Sequence, residues 1–420
     1  MLYERWRQIA REQGCELALR DRSTARNWTF AQLAAEAEKD SVEGASAIAY
    51  PQGLSADFIV GVLRAWRQRA VVCPLEIGQA PLALSSTPPE CIHLKFTSAS
   101  TGGPRVVAVT AAQLAADADN IVATMGLRPD WPNLGVISLA HSYGFSNLVL
   151  PLLLRGIPLT LVASPLPEAV RQAAADEAAI TLAAVPALWR AWHEAGAIPS
   201  NVRLAISAGA PLPLPLEQEV FATSGLKIHN FLGATECGGI AYDASIIPRA
   251  DASCVGAAMQ NVHLSQGDDG CLQVRSRAVA ETYWPEPDMK LADGSFQTSD
   301  LVEFKNGLVF LRGRASDQIN VAGRKLSPEV IEHALLAHPG VRDCLVFGAP
   351  SADSERTETI VACVVGNFAI SSDVLKQFLL EKLPAWQVPR DWWFVESLEV
   401  NQRGKLSRAE WRRKYCDGAR

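Results

Sequence analysis

Apolar and polar positions alternate along the first part of the chain in a way that predicts helices and strands in turn. Residues 57–72 have helical spacing that runs into an apolar strand at 70–74, and residues 111–125 have helical spacing with Thr110 as a plausible N-cap. Further apolar strands are predicted at 134–139, 180–184, 202–207 and 227–231, and further helices at 167–178 and 186–195. Alternation at this spacing predicts parallel sheet flanked by helices.

The pattern changes past residue 250. Short strands separated by turns are predicted at 262–264, 271–275, 301–304 and 308–311, which indicates a small antiparallel lobe. From residue 314 the chain shows helices at 328–337 and 372–382 and strands at 341–349, 359–365 and 391–395. This order predicts a small α+β unit at the C-terminal end.

Composition narrows the class of protein. The 420 residues are 48% hydrophobic and 20% charged, so the chain can form more than one core and two or more domains are expected. The net charge of −6 argues against nucleic acid as the main partner. The most apolar window, residues 148–162, is interrupted by Arg155, Gly156 and Pro158, which argues against a membrane span. Nine scattered cysteines without a C-x-x-C pair suggest reduced thiols in a cytoplasmic protein and indicate no metal site.

Residues 94–109, LKFTSASTGGPRVVAV, form the first candidate site. An apolar strand breaks into hydroxyls and glycines, and a second apolar strand follows. Such a loop can hold phosphate, because hydroxyls and unshielded backbone N–H groups approach an anion and Arg105 adds positive charge. The residues concerned are Thr97, Ser98, Ser100, Thr101, Gly102 and Arg105. A polar β-turn between two strands is the alternative.

Further motifs follow in a fixed order. They are HSYG at 141–144, ISAGAPL at 206–212, NFLGATE at 230–236, TSD at 298–300, LRGRASDQINVAGRKLSPEVIE at 311–332 and NQRGKLSR at 401–408. In the third of them, a hydroxyl at Thr235 beside a carboxylate at Glu236 suits Mg²⁺, which accepts hard oxygen ligands.

Taken together, these motifs resemble those of the acyl-adenylate-forming superfamily, which includes acyl- and aryl-CoA synthetases, stand-alone adenylating enzymes and luciferase. The resemblance extends over residues 26–408. The chain departs from the family pattern at Ala99, Arg105 and Val106 in the phosphate loop, at Ser299 and Asn320, and at the hinge position Ser316.

The resemblance implies an α/β protein with two domains. Residues 1–313 would form a shortened AMP-binding domain of mixed and parallel sheets flanked by helices, with the small antiparallel lobe. Residues 314–420 would form a small, mobile α+β lid domain that carries the catalytic lysine.

The resemblance also implies roles for individual residues. Lys405 and Thr235 would act in catalysis together with Glu236, which would also bind magnesium. The residues implied in nucleotide binding are the six phosphate-loop residues named above, Gly209, Ala210 and Pro211 at the adenine, and Asp300 and Arg314 at the ribose. Those implied in the acyl pocket are His141, Tyr143, Gly144, Ala208, Phe231, Gly233 and Gly238. Gly323 would line the thiol path and Ser316 would be the hinge.

The implied reaction is ATP-dependent adenylation of a carboxylic acid, followed by thioester formation on CoA or on a separate carrier protein. The mostly apolar pocket is compatible with an aryl or medium aliphatic acid. The alternative is a catalytically weakened accessory or sensor protein that binds the acid or its adenylate. Retention of Thr235, Glu236, Asp300, Arg314 and Lys405 favours the enzyme, because a sensor has no use for a lysine that acts in the transition state.

Overall fold

Helices and strands alternate along the N-terminal part of the protein, as the hydrophobic pattern predicts. The computed structural model describes residues 1–39, 47–81, 84, 86–97, 105–351, 358–366, 370–399 and 406–418. The helices of this part are α1 Leu2–Glu12, α2 Phe30–Glu38, α3 Ala56–Gln68, α4 Ala111–Met125, α5 Ser142–Gly144, α6 Leu150–Arg155, α7 Pro167–Ala174, α8 Pro186–Glu194 and α9 Leu214–Ser224, and a π-helical turn, Phe145–Val149, joins α5 to α6. Its strands are β1 Leu17–Asp21, β2 Arg26–Thr29, β3 Ile48–Ala49, β4 Val71–Val72, β5 Cys91–Phe96, β6 Val106–Thr110, β7 Asn133–Gly135, β8 Leu159–Leu161, β9 Ile180–Ala184, β10 Val202–Ser207, β11 Ile228–Ala234, β12 Gly238–Tyr242, β13 Cys254–Ala258, β14 Val262–Gln266, β15 Cys271–Ser276, β16 Thr282–Trp284, β17 Leu291–Ala292, β18 Ser295–Lys305 and β19 Leu308–Arg314.

Two sheets organise these elements. Over the described residues, fourteen strands form a mixed sheet in the order β14-β15-β18-β19-β13-β12-β11-β10-β9-β7-β8-β1-β2, with β17 beside β18. Neighbouring strands from β11 to β1 run parallel, and the strands from β12 to β14 pair antiparallel. The other sheet has the order β16-β6-β5-β4-β3. The predicted combination of parallel sheet, flanking helices and a small antiparallel lobe is confirmed.

The C-terminal part has its own small sheet and its own core. Its elements are β20 Ile319–Val321, β21 Arg324–Leu326, α10 Pro328–Leu336, β22 Val341–Pro350, β23 Glu358–Gly366, α11 Ser372–Leu380, β24 Asp391–Phe394 and α12 Arg408–Cys416. Strand β23 pairs antiparallel with β22 and parallel with β24. Apolar side chains of α10 and α11 pack on this sheet. The predicted α+β arrangement is therefore confirmed.

Local sequence signals account for the best-predicted helix. The Thr110 hydroxyl accepts a hydrogen bond from Gln113 N, and the Gln113 side chain accepts one from Thr110 N, which together form a capping box. Helix α4 ends at Gly126, whose φ of 67° is in the left-handed region that glycine adopts easily. Both ends of α4 are thus set by residues next to the helix.

Two apolar segments are less clear from sequence alone. Only Asn133–Gly135 of the first segment pairs as a strand, so the predicted strand at 134–139 is wrong beyond Gly135. The run at 148–154 is helical, and all of its residues are buried. A segment that is buried on all sides shows no helical or strand period.

None of the helices in the described part of the chain is long and apolar enough to span a membrane.

Candidate active site

The loop between β5 and β6 is closed at its base by the residues on either side of it. Thr97 N donates a hydrogen bond to Arg105 O at 2.9 Å, and Arg105 N donates to the Thr97 hydroxyl at 3.1 Å. The predicted phosphate-binding residues within the loop lie outside the described residues: Ser98, Ser100, Thr101 and Gly102. The paired ends of β5 and β6 therefore fix where the loop leaves the sheet.

The Arg105 guanidinium lies against the ring of Tyr283, a residue that the motifs did not single out. The guanidinium carbon is 3.4 Å from the ring centroid, and Nη1 forms an ion pair with Asp288 Oδ2 at 3.0 Å. Tyr283 lies on β16, which pairs antiparallel with β6 so that Tyr283 faces Val107. A stacked and ion-paired guanidinium is held in one orientation at the mouth of the loop.

Tyr283 also contacts Glu236, the predicted magnesium ligand. Its hydroxyl donates a hydrogen bond to Glu236 Oε1 at 2.8 Å. Burial, and next the negative charge of Glu236, raises the pKa of Tyr283, so the hydroxyl stays protonated and is the donor. The Glu236 carbonyl in turn accepts a hydrogen bond from Ala280 N at 2.8 Å. Both the side chain and the backbone of Glu236 are therefore held in place.

The oxygen atoms at Thr235 and Glu236 suit a magnesium ion. Both residues are half-buried at the turn between β11 and β12. The hydrogen bond from Tyr283 engages Oε1 of Glu236, so Oε2 is the oxygen that would bind a metal ion. Magnesium usually binds one or two protein carboxylates together with substrate phosphates, and this arrangement agrees with that pattern.

The predicted adenine-contacting turn follows β10. Gly209 has a φ of 87°, and Gly209, Ala210 and Pro211 are exposed while Ala208 is buried. Strand β10 runs parallel to β11, which carries Phe231 and leads to Thr235. Because the carboxyl ends of parallel strands meet at one edge of a sheet, this turn and the Thr235 turn lie at the same edge.

Asp300 and Arg314, the two predicted ribose contacts, form a direct ion pair. They face each other across the antiparallel strands β18 and β19, and Arg314 Nε donates to Asp300 Oδ1 at 2.9 Å. The negative charge of Asp300 raises the pKa of Arg314. The backbone N–H of Asp300 donates to the Thr298 hydroxyl at 3.0 Å, which fixes the turn of the TSD motif.

Two aromatic residues of the predicted acyl pocket lie next to each other. The rings of Tyr143 and Phe231 are 6.0 Å apart, and the Tyr143 hydroxyl donates to the carbonyls of Ala184 and Ile206 at 3.4 and 3.3 Å. Burial raises the pKa of Tyr143. The Tyr143 side chain therefore connects α5 to the ends of β9 and β10.

His141 is placed at the entrance of the same segment by an acidic neighbour. Its Nε2 is 3.2 Å from Glu76 Oε1, which also accepts a hydrogen bond from the Ser138 hydroxyl. Sequence reasoning missed Glu76, because it lies far from His141 in the chain and belongs to none of the motifs.

The glycines of the predicted pocket are required by backbone packing. A Cβ at Gly144 would collide with the Ser138 carbonyl, and one at Gly233 would lie 2.9 Å from the Gly238 carbonyl. At Gly238 the φ is 68°, and a Cβ would collide with the Asp117 carboxylate. Asp117, like Tyr283 and Glu76, is a residue that the motifs did not indicate.

The predicted hinge and thiol-path residues lie in short turns of the C-terminal part. Ser316 is in the 3₁₀ turn Ala315–Asp317, and its hydroxyl donates to Asp317 Oδ1 at 3.0 Å. Gly323 is in the turn of the β20–β21 hairpin with a φ of 80°, and its N–H donates to Asn320 Oδ1 at 2.9 Å. Asn320, which replaces a lysine of the family pattern, thus orders this turn.

Lys405 lies outside the described residues, but the start of α12 shows how the following segment is anchored. Arg408 Nη1 is 3.1 Å from Asp317 Oδ2, and its Nη2 is 2.6 Å from Glu332 Oε2. Arg408 therefore connects the chain shortly after Lys405 to Asp317, the residue next to the predicted hinge position Ser316.

Comparison with known proteins agrees with this arrangement. Three features agree with the adenylate-forming class of nucleotide-dependent enzymes. They are the paired strands β5 and β6 on either side of the predicted phosphate loop, the turn at the sheet edge that carries Glu236, and the C-terminal part with its own sheet. The chain belongs to the AMP-binding enzyme family. That family matches residues 4–284, and the C-terminal domain of AMP-binding enzymes matches residues 330–405.

Curated relatives and solved structures show how far the similarity extends. The chain is 26% identical over 343 residues to a feruloyl-CoA synthase from Amycolatopsis sp, which covers 77% of this chain and 69% of the relative. It is 26% identical over 367 residues to mitochondrial malonate–CoA ligase of Homo sapiens, covering 74% and 64%. The structure of ATP-bound MatB from Rhodopseudomonas palustris superposes with a TM-score of 0.86 at 20% identity, covering 99% of each chain. The chain is therefore an enzyme with the adenylate-forming fold whose relatives include acid–CoA ligases.

Proposed function

We propose that this protein activates a carboxylic acid with ATP and transfers the acyl group to a thiol. The observation that carries the proposal is the chain of contacts from Arg105 through Tyr283 to Glu236. These contacts join the base of the phosphate loop to the carboxylate beside Thr235. Arg105 would bind the phosphates of a nucleoside triphosphate, and Glu236 would bind its metal ion.

In the first half-reaction, a carboxylate oxygen of the acid attacks the α-phosphorus of ATP. The new P–O bond forms as the bond to the bridging oxygen breaks, and pyrophosphate leaves with the electron pair. Both reactants are anionic, so the site must supply positive charge and hydrogen-bond donors. Arg105 supplies a guanidinium, Thr235 a hydroxyl at the α-phosphate, and Lys405 an ammonium at the developing charge. Magnesium held by Glu236 would neutralise phosphate charge.

The nucleotide is oriented by residues at the edge of the large sheet. Asp300, whose carboxylate is fixed by Arg314, accepts hydrogen bonds from the ribose hydroxyls. The adenine ring packs on the turn at Gly209, Ala210 and Pro211. Hydrogen bonds to fixed groups place the α-phosphorus next to the acid and reduce the entropic cost of the reaction.

In the second half-reaction, the thiol sulfur attacks the acyl carbon. The C–S bond forms, AMP leaves with the electron pair of the C–O bond, and the thiol proton is released. The C-terminal domain rotates at Ser316 between the two steps, which withdraws Lys405 and presents the turn at Gly323 to the thiol. The division into domains 1–313 and 314–420 belongs to this proposal. The boundary after residue 313 falls between the two regions that match the family, 4–284 and 330–405.

The proposed substrate is an aryl or medium aliphatic acid. Its acyl group would lie among His141, Tyr143, Gly144, Ala208, Phe231, Gly233 and Gly238. The paired rings of Tyr143 and Phe231 support an apolar pocket wall. The relative named feruloyl-CoA synthase, which takes its name from an aryl acid, supports the aryl alternative.

The proposed acceptor is CoA or a separate carrier protein. The names of the relatives, which are CoA ligases, support CoA. A reducing, cytoplasmic setting is proposed from the nine cysteines, none of which forms a disulfide.

Pyrophosphate release is the measurement that tests the proposal. The purified protein is incubated with ATP, Mg²⁺ and a panel of aryl, aliphatic and amino acids, with and without CoA. One acid class should support release, and Lys405→Ala should lower the rate at least about 100-fold. Lys376→Ala, which alters a lysine on α11, is the matched control and should retain the rate.

Two outcomes would contradict the proposal. An equal rate of pyrophosphate release in Lys405→Ala and in the control would show that Lys405 has no catalytic role. Acids that bind without any release of pyrophosphate would indicate the accessory or sensor protein instead.

A further inference from the structure

Lys95 is a buried lysine next to the phosphate loop that none of the motifs includes. It lies on β5 and is 7% exposed. Within the described part of the chain, no carboxylate is within ion-pairing distance of its ammonium and no acceptor is within hydrogen-bonding distance. A buried ammonium costs several kcal/mol unless it is paired and hydrogen-bonded. Its three N–H donors are therefore available to a ligand.

The strand places the Lys95 side chain on the face of β5 that also carries His93. Side chains alternate along a strand, so His93 and Lys95 share one face, while Leu94 packs in a separate apolar cluster with Val106. The His93 ring lies 4.3 Å from the ring of Phe145 in the π-helical turn. Lys95 thus faces the segment that follows Tyr143.

Asp117 on α4 is a charged neighbour of Lys95. Its Oδ2 accepts a hydrogen bond from the Ser146 hydroxyl at 2.6 Å, and its Oδ1 accepts one from Gly239 N at 3.1 Å. Gly238 is so close to the carboxylate that a side chain there would collide with it. The Asp117 carboxylate therefore lies directly against Gly238, one of the residues of the predicted acyl pocket.

The charges around Lys95 determine which kind of group it can bind. Burial lowers the pKa of Lys95, and the charge of Asp117, the largest opposing influence, raises it again in part. Burial lowers the pKa of His93 and raises that of Cys237, so both are neutral. The positive charge of Lys95 and the negative charge of Asp117 add up to zero. Glu236, the other acidic neighbour of Lys95, would be neutralised by the metal.

We propose that Lys95 and Asp117 form a polar specificity position in the acyl pocket that selects an acid bearing a hydroxyl group on its acyl skeleton. This inference rests on the proposed function. The hydroxyl oxygen accepts a hydrogen bond from the Lys95 ammonium, and its proton is donated to Asp117. A second carboxylate would give the buried position a net negative charge, and an amino group would offer Lys95 no good acceptor.

The test compares acids that share a skeleton. Pyrophosphate release is measured with benzoate and cinnamate, with their hydroxy and amino derivatives, and with the corresponding dicarboxylates. The wild-type protein should prefer the best hydroxy acid over its unsubstituted parent by at least about 100-fold in kcat/KM, because an unpaired buried polar group is left when the hydroxyl is missing.

Variants then assign the preference to the pair. Lys95→Met should lower the ratio of kcat/KM between hydroxy acid and parent at least about tenfold. Asp117→Asn, which leaves the Lys95 charge uncompensated, should shift the preference toward the dicarboxylate. Lys305→Met, on β18, is the control and should keep the wild-type ratio.

The outcomes separate this inference from the proposed function. No pyrophosphate release with any acid would contradict the proposed function itself. Turnover with a wild-type ratio near one, or with dicarboxylates preferred, would overturn the specificity position alone. The same conclusion would follow from a ratio that Lys95→Met leaves unchanged. Because the wild-type ratio is measured without a variant, the test holds even if Lys95→Met does not fold.

Discussion

The hydroxyl of Tyr283 donates a hydrogen bond to Oε1 of Glu236 at 2.8 Å, while the ring of the same tyrosine lies 3.4 Å from the guanidinium carbon of Arg105. One side chain therefore touches both the cation at the phosphate loop and the carboxylate proposed to bind magnesium. Tyr283 is a positioning residue, because it would act on the nucleotide through these two neighbours.

Tyr283→Phe should weaken magnesium binding, so that pyrophosphate release requires more magnesium. Without the hydroxyl, the carboxylate of Glu236 loses its fixed orientation, and loss of such an outer contact typically costs about tenfold in metal affinity. The magnesium concentration for half-maximal rate should rise by about that factor. Tyr3→Phe on α1 is the matched control. If Tyr283→Phe leaves the magnesium concentration for half-maximal rate unchanged but lowers the melting temperature, Tyr283 contributes only to packing.

Asp300→Asn should raise the KM for ATP at least about tenfold, since a hydrogen bond to a charged group contributes about 1.5–3 kcal/mol. Steady-state rates at varied ATP measure this effect. Glu303→Gln is a close control, because Glu303 is on the same strand and pairs with Arg312 at 2.7 Å. Equal KM values in the two variants would remove Asp300 from the ribose site.

Glu332 should make stability depend on pH. Burial raises its pKa from 4.5 to about 7, and the charge of Arg408 opposes the shift. Glu332 then binds a proton more tightly in the folded than in the unfolded state. The resulting stabilisation of the folded state is fully present below pH 4.5 and is lost as the pH rises through about 7.

The free energy of unfolding of the wild-type protein should therefore fall relative to Glu332→Gln between about pH 5 and about pH 8. Urea titrations at a series of pH values measure the difference. Glu381→Gln, at the end of α11, is the control. A difference that rises with pH would mean that the ion pair with Arg408 outweighs burial.

Glu217→Ala should destabilise the protein by about 3–5 kcal/mol, because it leaves the buried Arg249 without a carboxylate partner and removes one of the two carboxylates that pair with the buried Lys227. Glu217 is fully buried, and its carboxylate contacts Lys227 Nζ at 2.5 Å and Arg249 Nε at 2.8 Å. Urea unfolding gives the magnitude. Glu219→Ala, on the same helix with an exposed side chain, should change stability by less than about 0.5 kcal/mol. A similar decrease in the free energy of unfolding in both variants would show that any substitution in α9 is destabilising, and that the ion pairs of Glu217 are not the cause.

Much of the fold follows from signals that are local in the chain. Helix α4 is predicted at its observed limits because Thr110 and Gly126 cap it from adjacent positions. Strands β9 and β10 are also predicted correctly, since turn residues bound their apolar runs. The run at 148–154 could not be assigned, because burial on every side removes the periodicity on which sequence analysis depends.

The sequence by itself determined the order of the motifs, the α/β class and the residue types available to bind a nucleotide, because these depend on neighbouring residues and their spacing. Only the tertiary structure decided which residues support the site. Tyr283 meets Glu236 because β16 pairs with β6, and Asp117 meets Gly239 because α4 packs on β12. Such partners come from distant segments that are brought together by sheet pairing and burial, which no local pattern records.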